Sequence, residues 1–182
     1  MLHMLQKSSM WKTMEFFFLK PSNSHYLMDI SRTIGLSHTS VKKNLVALVK
    51  SEILTESIEK KGERKFPVYK ANTNNERFKS YKIMYNLTIL LESGTIDFIE
   101  KILMPKSIVI FGSYRRGEDT EKSDIDIFVE CAEDKLNLDN FEKKLQRKIQ
   151  LHFNSDFNSY PKELKNNIIN GVLMKGFLEG YE

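Results

Sequence analysis

Two short segments in the second half of the chain constrain its fold more than any other feature of the sequence. Residues 108–111 form a continuous apolar run, which is typical of a buried strand. Residues 124–129 begin with alternating acidic and apolar side chains, so the two aspartates would face one side while the isoleucines enter a core. We therefore predict two strands, and the connection between them begins with a glycine and a serine.

This connection carries the residue types of a phosphate-binding turn. Gly112 lets the backbone approach a ligand closely, and Ser113 would open a helix whose amide groups and positive dipole end suit a phosphate. Arg115 and Arg116 add cationic donors nearby. Because many strand-to-helix turns look alike, the turn is a weak signal until it is combined with the acidic strand that follows.

Asp124 and Asp126 would lie on one side of their strand, about 7 Å apart. Two carboxylates at this spacing can converge on one hard cation, for which Mg²⁺ is the natural occupant. The alternative is a charged strand edge that opposes aggregation. An isolated Asp-x-Asp favours that alternative, but the strand and Gly-Ser turn upstream favour the metal site.

The complete pattern is Gly112-Ser113, ten intervening residues and then Asp124-Ile125-Asp126. It resembles the signature of the DNA polymerase β nucleotidyltransferase superfamily, most closely that of its minimal nucleotidyltransferases, and the resemblance covers about residues 94–178. It implies that Gly112 and Ser113 hold a nucleoside triphosphate, with ATP expected, while Asp124 and Asp126 bind Mg²⁺. In-line attack on the α-phosphate would then release pyrophosphate.

The superfamily usually has a third carboxylate on a later strand, and this sequence departs from that pattern. The expected strand, residues 149–153, turns Gln150 and His152 toward the site, and neither replaces a carboxylate as a Mg²⁺ ligand. His152 is a candidate general base near neutral pH, although a lone histidine is more often structural. Asp156 follows the strand as a further candidate, and Glu130 lies about 13 Å beyond Asp126 on the same face.

The first half of the chain is basic. Residues 1–80 hold 14 Lys and Arg against 7 Asp and Glu, whereas residues 81–182 hold 14 against 17. This shift favours a boundary near residues 75–80, and a basic half is typical of a protein that binds a polyanion such as DNA. A solvated basic face explains the charge equally well, so the local pattern has to decide.

That local pattern predicts three helices followed by a β-hairpin. Apolar spacing places helices around Trp11 and from Leu27 to Gly35, and Ser37 caps a third. Strands at 53–59 and 65–69 form the hairpin. Residues 8–72 thus resemble winged helix-turn-helix domains of transcription regulators, and a module that contacts only protein is the alternative. The residues expected to contact double-stranded DNA are His38, Thr39, Ser40, Lys42, Lys43 and Asn44 on the third helix, with Lys60, Lys61 and Arg64 at a basic loop.

Between the halves, residues 74–91 predict a helix whose apolar side chains cover more than one stripe, so it should be buried on two sides. A rigid bridge and a dimer interface each explain it, and we expect a homodimer. The architecture is then α+β. A winged helix-turn-helix domain covers 1–73, a helical connector 74–93, and a small α/β nucleotidyltransferase-like domain with a mixed sheet 94–182.

The composition predicts a cytoplasmic protein that does not enter a membrane. The longest uncharged apolar stretch, residues 83–91, is far shorter than a membrane span, and Cys131 has no second cysteine to pair with. The apolar segment at residues 1–5 is followed by Lys7 and Lys12, so we expect no signal peptide.

These observations combine in three functional hypotheses, and the two-module arrangement resembles that of archaeal regulators. In the first, a DNA-binding protein binds Mg-NTP and transfers a nucleotidyl group to an unidentified acceptor, which could be a protein. In the second, a transcription regulator carries a degenerate transferase domain that only senses nucleotide. In the third, an antitoxin-like partner modifies or masks another protein.

Overall fold

The computed structural model describes residues 8–179. The chain divides after Lys79 into two compact units. Two parts of the sequence predictions lie outside the described residues. They are the segment at residues 1–5, where we expect no signal peptide, and the last three residues of the predicted domain 94–182. Within the described part, no helix is both long and apolar enough to span a membrane.

The first unit contains three helices and an antiparallel sheet with the strand order β1-β3-β2. Phe17, Ile30 and Leu45, one from each helix, are buried. Burial of one apolar stripe per helix is what drives such short helices to pack. The elements are α1 (Ser9–Leu19), β1 (His25–Tyr26), α2 (Leu27–Ile34), α3 (His38–Lys50), β2 (Leu54–Lys61) and β3 (Arg64–Ala71).

Local capping explains where the second and third helices end and begin. Gly35 ends α2 in the left-handed conformation at φ 64°, which a glycine adopts without strain. The Ser37 hydroxyl accepts a hydrogen bond from the Ser40 amide at 3.3 Å and so caps α3. Both predictions from the sequence are confirmed.

The hairpin differs from the prediction in its extent. Lys61 pairs with Arg64, so the turn consists of residues 62 and 63 alone, and the predicted five-residue basic loop is wrong. Residues 60, 61 and 64 therefore belong to the strands. The sequence also failed to indicate β1, because two residues are too few to show an alternating pattern.

The second unit is built on a mixed four-stranded sheet with the order β6-β5-β4-β7. β5 and β6 are parallel, and the other pairs are antiparallel. A 3₁₀ turn at Phe157–Ser159 follows β6. The elements that follow the first unit are α4 (Glu76–Ser93), which crosses the division between the units, α5 (Thr95–Leu103), β4 (Ser107–Phe111), α6 (Gly112–Arg116), β5 (Ile125–Val129), α7 (Asp139–Leu145), β6 (Ile149–Phe153), α8 (Lys162–Ile169) and β7 (Val172–Gly176).

Both faces of this sheet are covered, which explains the uninterrupted apolar run in β4. Ile108, Ile110 and their neighbours on one face pack in a cluster with α4 and α5 residues such as Ile99. Val109 and Phe111 on the other face pack with residues of α8 and the 3₁₀ turn. All five β4 residues are buried as a result.

The helix α4 departs from the sequence prediction, because its buried residues form one stripe rather than two sides. This stripe includes the polar side chains Lys82 and Asn86, which occupy positions expected of apolar residues. By contrast, Met84 and Leu91 are 58% and 55% exposed. The prediction that α4 is buried on two sides is therefore wrong.

Candidate functional site

The turn at the end of β4 is closed against a carboxylate of β5. Phe111 lies opposite Asp126 in the β4–β5 ladder, and Gly112 follows with φ +72°. A Cβ atom at Gly112 would come closer than 3.0 Å to Asp126 Oδ2, and it would lie 3.1 Å from the carboxyl carbon. Only glycine satisfies both the backbone angle and the space. The carboxylate thus lies directly against the turn that the sequence singled out.

A histidine completes this group of side chains. His152 Nε2 lies 3.1 Å from Asp126 Oδ1, and the His152 and Phe111 rings form a T-shaped contact with centroids 5.0 Å apart. This contact arises because β5 and β6 are parallel and adjacent, with His152 opposite Phe128. Gln150, the other candidate on β6, lies opposite Asp126 and is exposed. The structure therefore brings Asp126 and His152 together beside Gly112.

Asp124 lies outside the regular strand, since β5 begins at Ile125. It is exposed and borders a cavity of about 440 Å³ that is also lined by Asp139, Glu142 and Arg147. Among residues 8–179, no three His, Cys, Asp or Glu side chains lie close enough to hold a metal ion by themselves. A dication here would therefore need oxygen atoms from water or a bound phosphate, as Mg²⁺ usually does in phosphate-transferring sites.

The remaining phosphate candidates lie on the short helix α6. Ser113 and Arg115 are half-buried, whereas the exposed Arg116 pairs through Nε with a Glu118 carboxylate oxygen at 2.8 Å. An exposed ion pair of this kind contributes little to stability and leaves the guanidinium accessible to a stronger anion. Gly117 ends α6 at φ 66° and returns the chain toward β5.

The other two carboxylates that the sequence suggested have structural partners away from this group. Glu130 is buried, accepts a hydrogen bond from the Ser107 hydroxyl at 2.7 Å, and lies 3.7 Å from the Lys106 ammonium. Asp156 accepts a hydrogen bond from the Asn158 amide at 3.0 Å and caps the 3₁₀ turn. Within residues 8–179 neither makes a hydrogen bond to Asp126, whereas His152 lies within hydrogen-bond distance of it.

A buried polar network beside the turn was not predicted from the sequence. Lys82 Nζ lies 3.1 Å from Asp119 Oδ1 and also donates to the Asp119 carbonyl. The Asn86 amide donates to the same Oδ1 at 2.8 Å and to the Tyr114 carbonyl at 2.9 Å. Burial lowers the pKa of Lys82, while the Asp119 carboxylate opposes this shift. The network ties α4 to both α6 and the loop that leads to Asp124.

Arg147 approaches this network from the other side. Its Nη2 lies 3.8 Å from Asp119 Oδ2, and its Nη1 donates to the Glu121 carbonyl at 3.3 Å. Within residues 8–179 its buried Nε has no hydrogen-bond partner. One sequence feature could have indicated this network. Lys82 and Asn86 are four residues apart, so they share one face of α4, and this face is buried.

In the first unit, the predicted DNA-contacting residues of α3 divide into two groups. His38, Thr39, Lys42 and Lys43 are exposed, and Ser40 is half-buried. Asn44 is only 5% exposed, and its amide donates to the Thr13 hydroxyl at 3.0 Å. The prediction that Asn44 faces DNA is wrong, because position 44 falls on the core stripe with Val41 and Leu48.

The cations of the wing are exposed on its two strands. Lys61 lies over the ring of Tyr26, with Nζ 4.4 Å from the ring centroid. A hydrogen bond with Tyr26 raises the pKa of Lys61, so this side chain remains charged over the whole physiological range. Lys60 and Arg64 complete the basic end of the hairpin.

Comparison with known proteins finds a similarity in the second half of the chain. Residues 93–173 match the family model of the nucleotidyltransferase domain. The matched residues lie in the second unit, which is therefore similar to a nucleotidyltransferase domain over that range. The match includes Gly112, Ser113, Asp124, Asp126 and His152.

Two relatives and one solved structure give further similarities. "Putative protein adenylyltransferase MJ0128" of Methanocaldococcus jannaschii is 75% identical over 28 residues, which are 15% of this chain and 29% of the relative. "Putative protein adenylyltransferase MJ1379" of the same organism is 71% identical over 28 residues, with coverages of 15% and 28%. The matched segment thus spans less than a third of either relative. A "possible transcriptional regulator" of Methanosarcina mazei covers 52% of this chain and 75% of its own, at 17% identity and a TM-score of 0.38.

Proposed function

We propose that the second unit transfers a nucleotidyl group from a nucleoside triphosphate, with ATP as the expected donor, to a hydroxyl group of an acceptor. The observation that supports this most is the close packing of the Asp126 carboxylate on Gly112, which joins an acidic group to a turn suited to phosphate. The nucleotidyltransferase domain at residues 93–173 supports the same chemistry. The names of the two relatives favour a protein as the acceptor.

In this proposal the turn binds the triphosphate and the aspartates bind a dication, for which the residue pattern predicts Mg²⁺. The donor set fits, because two carboxylates combined with substrate phosphates are a usual arrangement for this ion. The bound ion would offset the charge that develops on the phosphates. Gly112 and Ser113 orient the α-phosphate, and the glycine keeps the Asp126 carboxylate against the turn.

The reaction breaks a phosphoanhydride bond and forms a phosphate ester bond. The acceptor oxygen forms a bond to the α-phosphorus as the bond to the bridging α,β-oxygen breaks, and pyrophosphate leaves. The acceptor proton passes to a base or to water. The chain's own side chains therefore have to position two oxygens in line, which explains why a rigid turn and a fixed carboxylate suffice for the main interactions.

The experiment is incubation of the full chain with α-³²P-ATP, dication and cell extract. We expect label on a macromolecular acceptor and release of pyrophosphate, both lost in Asp126→Asn. Asp134→Asn is the matched control, since this exposed carboxylate makes a local hydrogen bond to the Lys135 amide that an asparagine can keep. Equal labelling by wild type and Asp126→Asn would refute the proposal.

A second candidate is a nucleotide sensor without turnover. The observation that favours it is the absence, within the described residues, of a third acidic side chain beside Asp126. A sensor would bind ATP with dication in calorimetry while the labelling experiment gives no transferred label. An antitoxin-like partner would instead label one specific protein of the extract.

For the first unit we propose binding to double-stranded DNA. The supporting observation is that α3 exposes Lys42 and Lys43 near its N-terminal end while the wing exposes further cations. Such a helix enters the major groove with its first turns, and the wing cations contact phosphates. The alternative, a module that contacts only protein, predicts no salt-dependent DNA binding.

A further inference from the structure

Our further inference rests on the proposed nucleotidyl transfer and concerns the ion that the site selects. The strand on which the resemblance implies a third carboxylate carries Gln150 opposite Asp126 and, two residues on, a nitrogen donor that reaches the same aspartate. His152 Nε2 lies 3.1 Å from Asp126 Oδ1, and the two side chains are 24% and 25% exposed. One imidazole nitrogen and one carboxylate oxygen therefore lie side by side, partly open to solvent, next to the Gly112 turn.

We propose that His152 is a direct ligand of the dication, and that the site consequently prefers a first-row transition dication such as Mn²⁺ to Mg²⁺. Imidazole nitrogen suits transition ions, whereas Mg²⁺ takes oxygen ligands almost exclusively and loses its waters reluctantly. A histidine ligand, compared with an acidic one, supplies neither a hard oxygen nor a negative charge. Both differences weaken Mg²⁺ binding more than the binding of a transition ion.

The distance between the two donor atoms suits a shared ion. Neighbouring ligands of an octahedral ion with bonds of about 2.1 Å are about 3.0 Å apart, close to the observed 3.1 Å. The same spacing suits a hydrogen bond from a protonated Nε2 to Asp126. The two arrangements differ in the position of the imidazole proton, because a ligating Nε2 carries none and the proton then resides on Nδ1.

The ligand count also fits an ion that arrives with its nucleotide. Asp126 and His152 supply two donor atoms, and Asp124 ahead of β5 supplies a third when its exposed side chain turns inward. No trio of such side chains is already assembled in the described part of the chain. The triphosphate and water complete the coordination shell, so the ion should bind tightly only together with a nucleotide.

This assignment changes the role that the sequence suggests for His152. A nitrogen that coordinates an ion has no free lone pair to accept the acceptor's proton. His152 would then hold the ion, and the proton would leave through water or another group. A ligand role and a base role thus exclude one another at Nε2, which makes them separable by experiment.

The test is pulsed electron paramagnetic resonance of Mn²⁺ bound to the full chain with α,β-methylene-ATP, an analogue that blocks transfer. We expect a nitrogen modulation typical of coordinated imidazole, which changes when the protein carries ¹⁵N-labelled histidine. The signal should vanish in His152→Asp and persist in Asp134→Asn, a substitution of an exposed carboxylate that accepts a hydrogen bond from the Lys135 amide. Labelling uses the wild-type protein, so this readout does not depend on whether a variant folds.

A competition experiment measures the preference. The Mg²⁺ excess needed to displace half of the Mn²⁺ should fall about tenfold or more from wild type to His152→Asp, because the acid restores an oxygen donor. A spectrum insensitive to histidine labelling would overturn the inference. So would a His152→Asn variant that loses transfer while its Mn²⁺ affinity is unchanged, since this is the behaviour of a base.

These results remain distinct from a failure of the proposed function. If Mn²⁺ binds without histidine nitrogen and label from ATP is still transferred, only the ion assignment falls. If no dication binds with the analogue and no label is transferred, both the ion assignment and nucleotidyl transfer fall.

Discussion

Lys82 and Asp119 form a buried ion pair in which each side chain is 1% exposed. Asp119 belongs to the loop that runs from the Gly112 turn to Asp124, and Arg147 adds a second cation to the same carboxylate. The Asp119 carboxylate therefore balances the charges of both cations. Its removal would leave both cations, whose side chains are 1% and 8% exposed, without compensation.

The first prediction follows from that balance. Asp119→Asn should lower the free energy of unfolding by about 3–5 kcal/mol, since it leaves the buried Lys82 and Arg147 charges unpaired. The matched control is Asp97→Asn, which breaks a largely exposed pair with Lys175 and should change stability by less than about 1 kcal/mol. Urea titration followed by circular dichroism measures both. Equal effects of the two substitutions would mean that the network does not hold the loop.

The second prediction separates two roles of one glycine. Gly112→Ala should both strain the backbone and displace the Asp126 carboxylate, because the new Cβ meets Oδ2. Gly94→Ala is the matched control, since its φ is +80° and nothing lies within 4 Å of an added Cβ. Both variants should lower the free energy of unfolding by about 1–2 kcal/mol, because alanine is strained in the left-handed conformation.

Only Gly112→Ala should also lose dication binding with nucleotide, as measured by calorimetry. Dication affinity unchanged from wild type in both alanine variants would show that the Asp126 position does not depend on Gly112. A loss in both variants would point to a general effect of the backbone strain.

How much of this site the sequence predicted depends on how far apart the interacting residues lie along the chain. Gly112 and Asp126 were predictable, because a strand, a turn and an alternating strand are local patterns. The sequence predicted that His152 faces the site, but its contact with Asp126 depends on β6 lying parallel beside β5. The Lys82 network was not predicted, because Lys82 and Asn86 each bond to partners that lie 28 to 37 positions away in the chain.

The same limit explains the error at Asn44. A polar residue on a basic helix looks like a surface residue, and only the position of Thr13 on α1 shows that the amide has a buried partner. A buried polar side chain whose hydrogen-bond partner is distant in the sequence cannot be recognised from the hydrophobic pattern. The three helices and two longer strands of the first unit depend on local spacing, and the sequence predicted them.

The third prediction uses this difference to test DNA binding. Lys42→Ala with Lys43→Ala should weaken binding of duplex DNA and reduce the dependence of log K on log salt concentration by about 0.9 for each phosphate that the variant no longer neutralises. Asn44→Ala should instead lower stability by about 1–3 kcal/mol, because the buried Thr13 hydroxyl loses its donor. Mobility-shift titrations at several salt concentrations and thermal unfolding separate the two effects. Unchanged DNA affinity in the lysine variant would exclude α3 as the contact surface.

The last prediction concerns the start of β6, the strand that carries His152. The Glu142 carboxylate accepts hydrogen bonds from the Lys148 ammonium at 2.6 Å and from the Ile149 amide at 3.0 Å, and these lower the pKa of Glu142. A carboxyl whose pKa is lower in the folded state stabilises the fold above its unfolded pKa of 4.5, and that stability is lost as the pH falls through the folded value. Glu142→Gln should therefore cost less than about 1 kcal/mol at pH 7, since Lys148 is largely exposed, and the difference from wild type should shrink below pH 4.5. Urea titrations between pH 7 and acid measure this difference, and a gap that stays constant across that range would show that Glu142 contributes packing rather than charge.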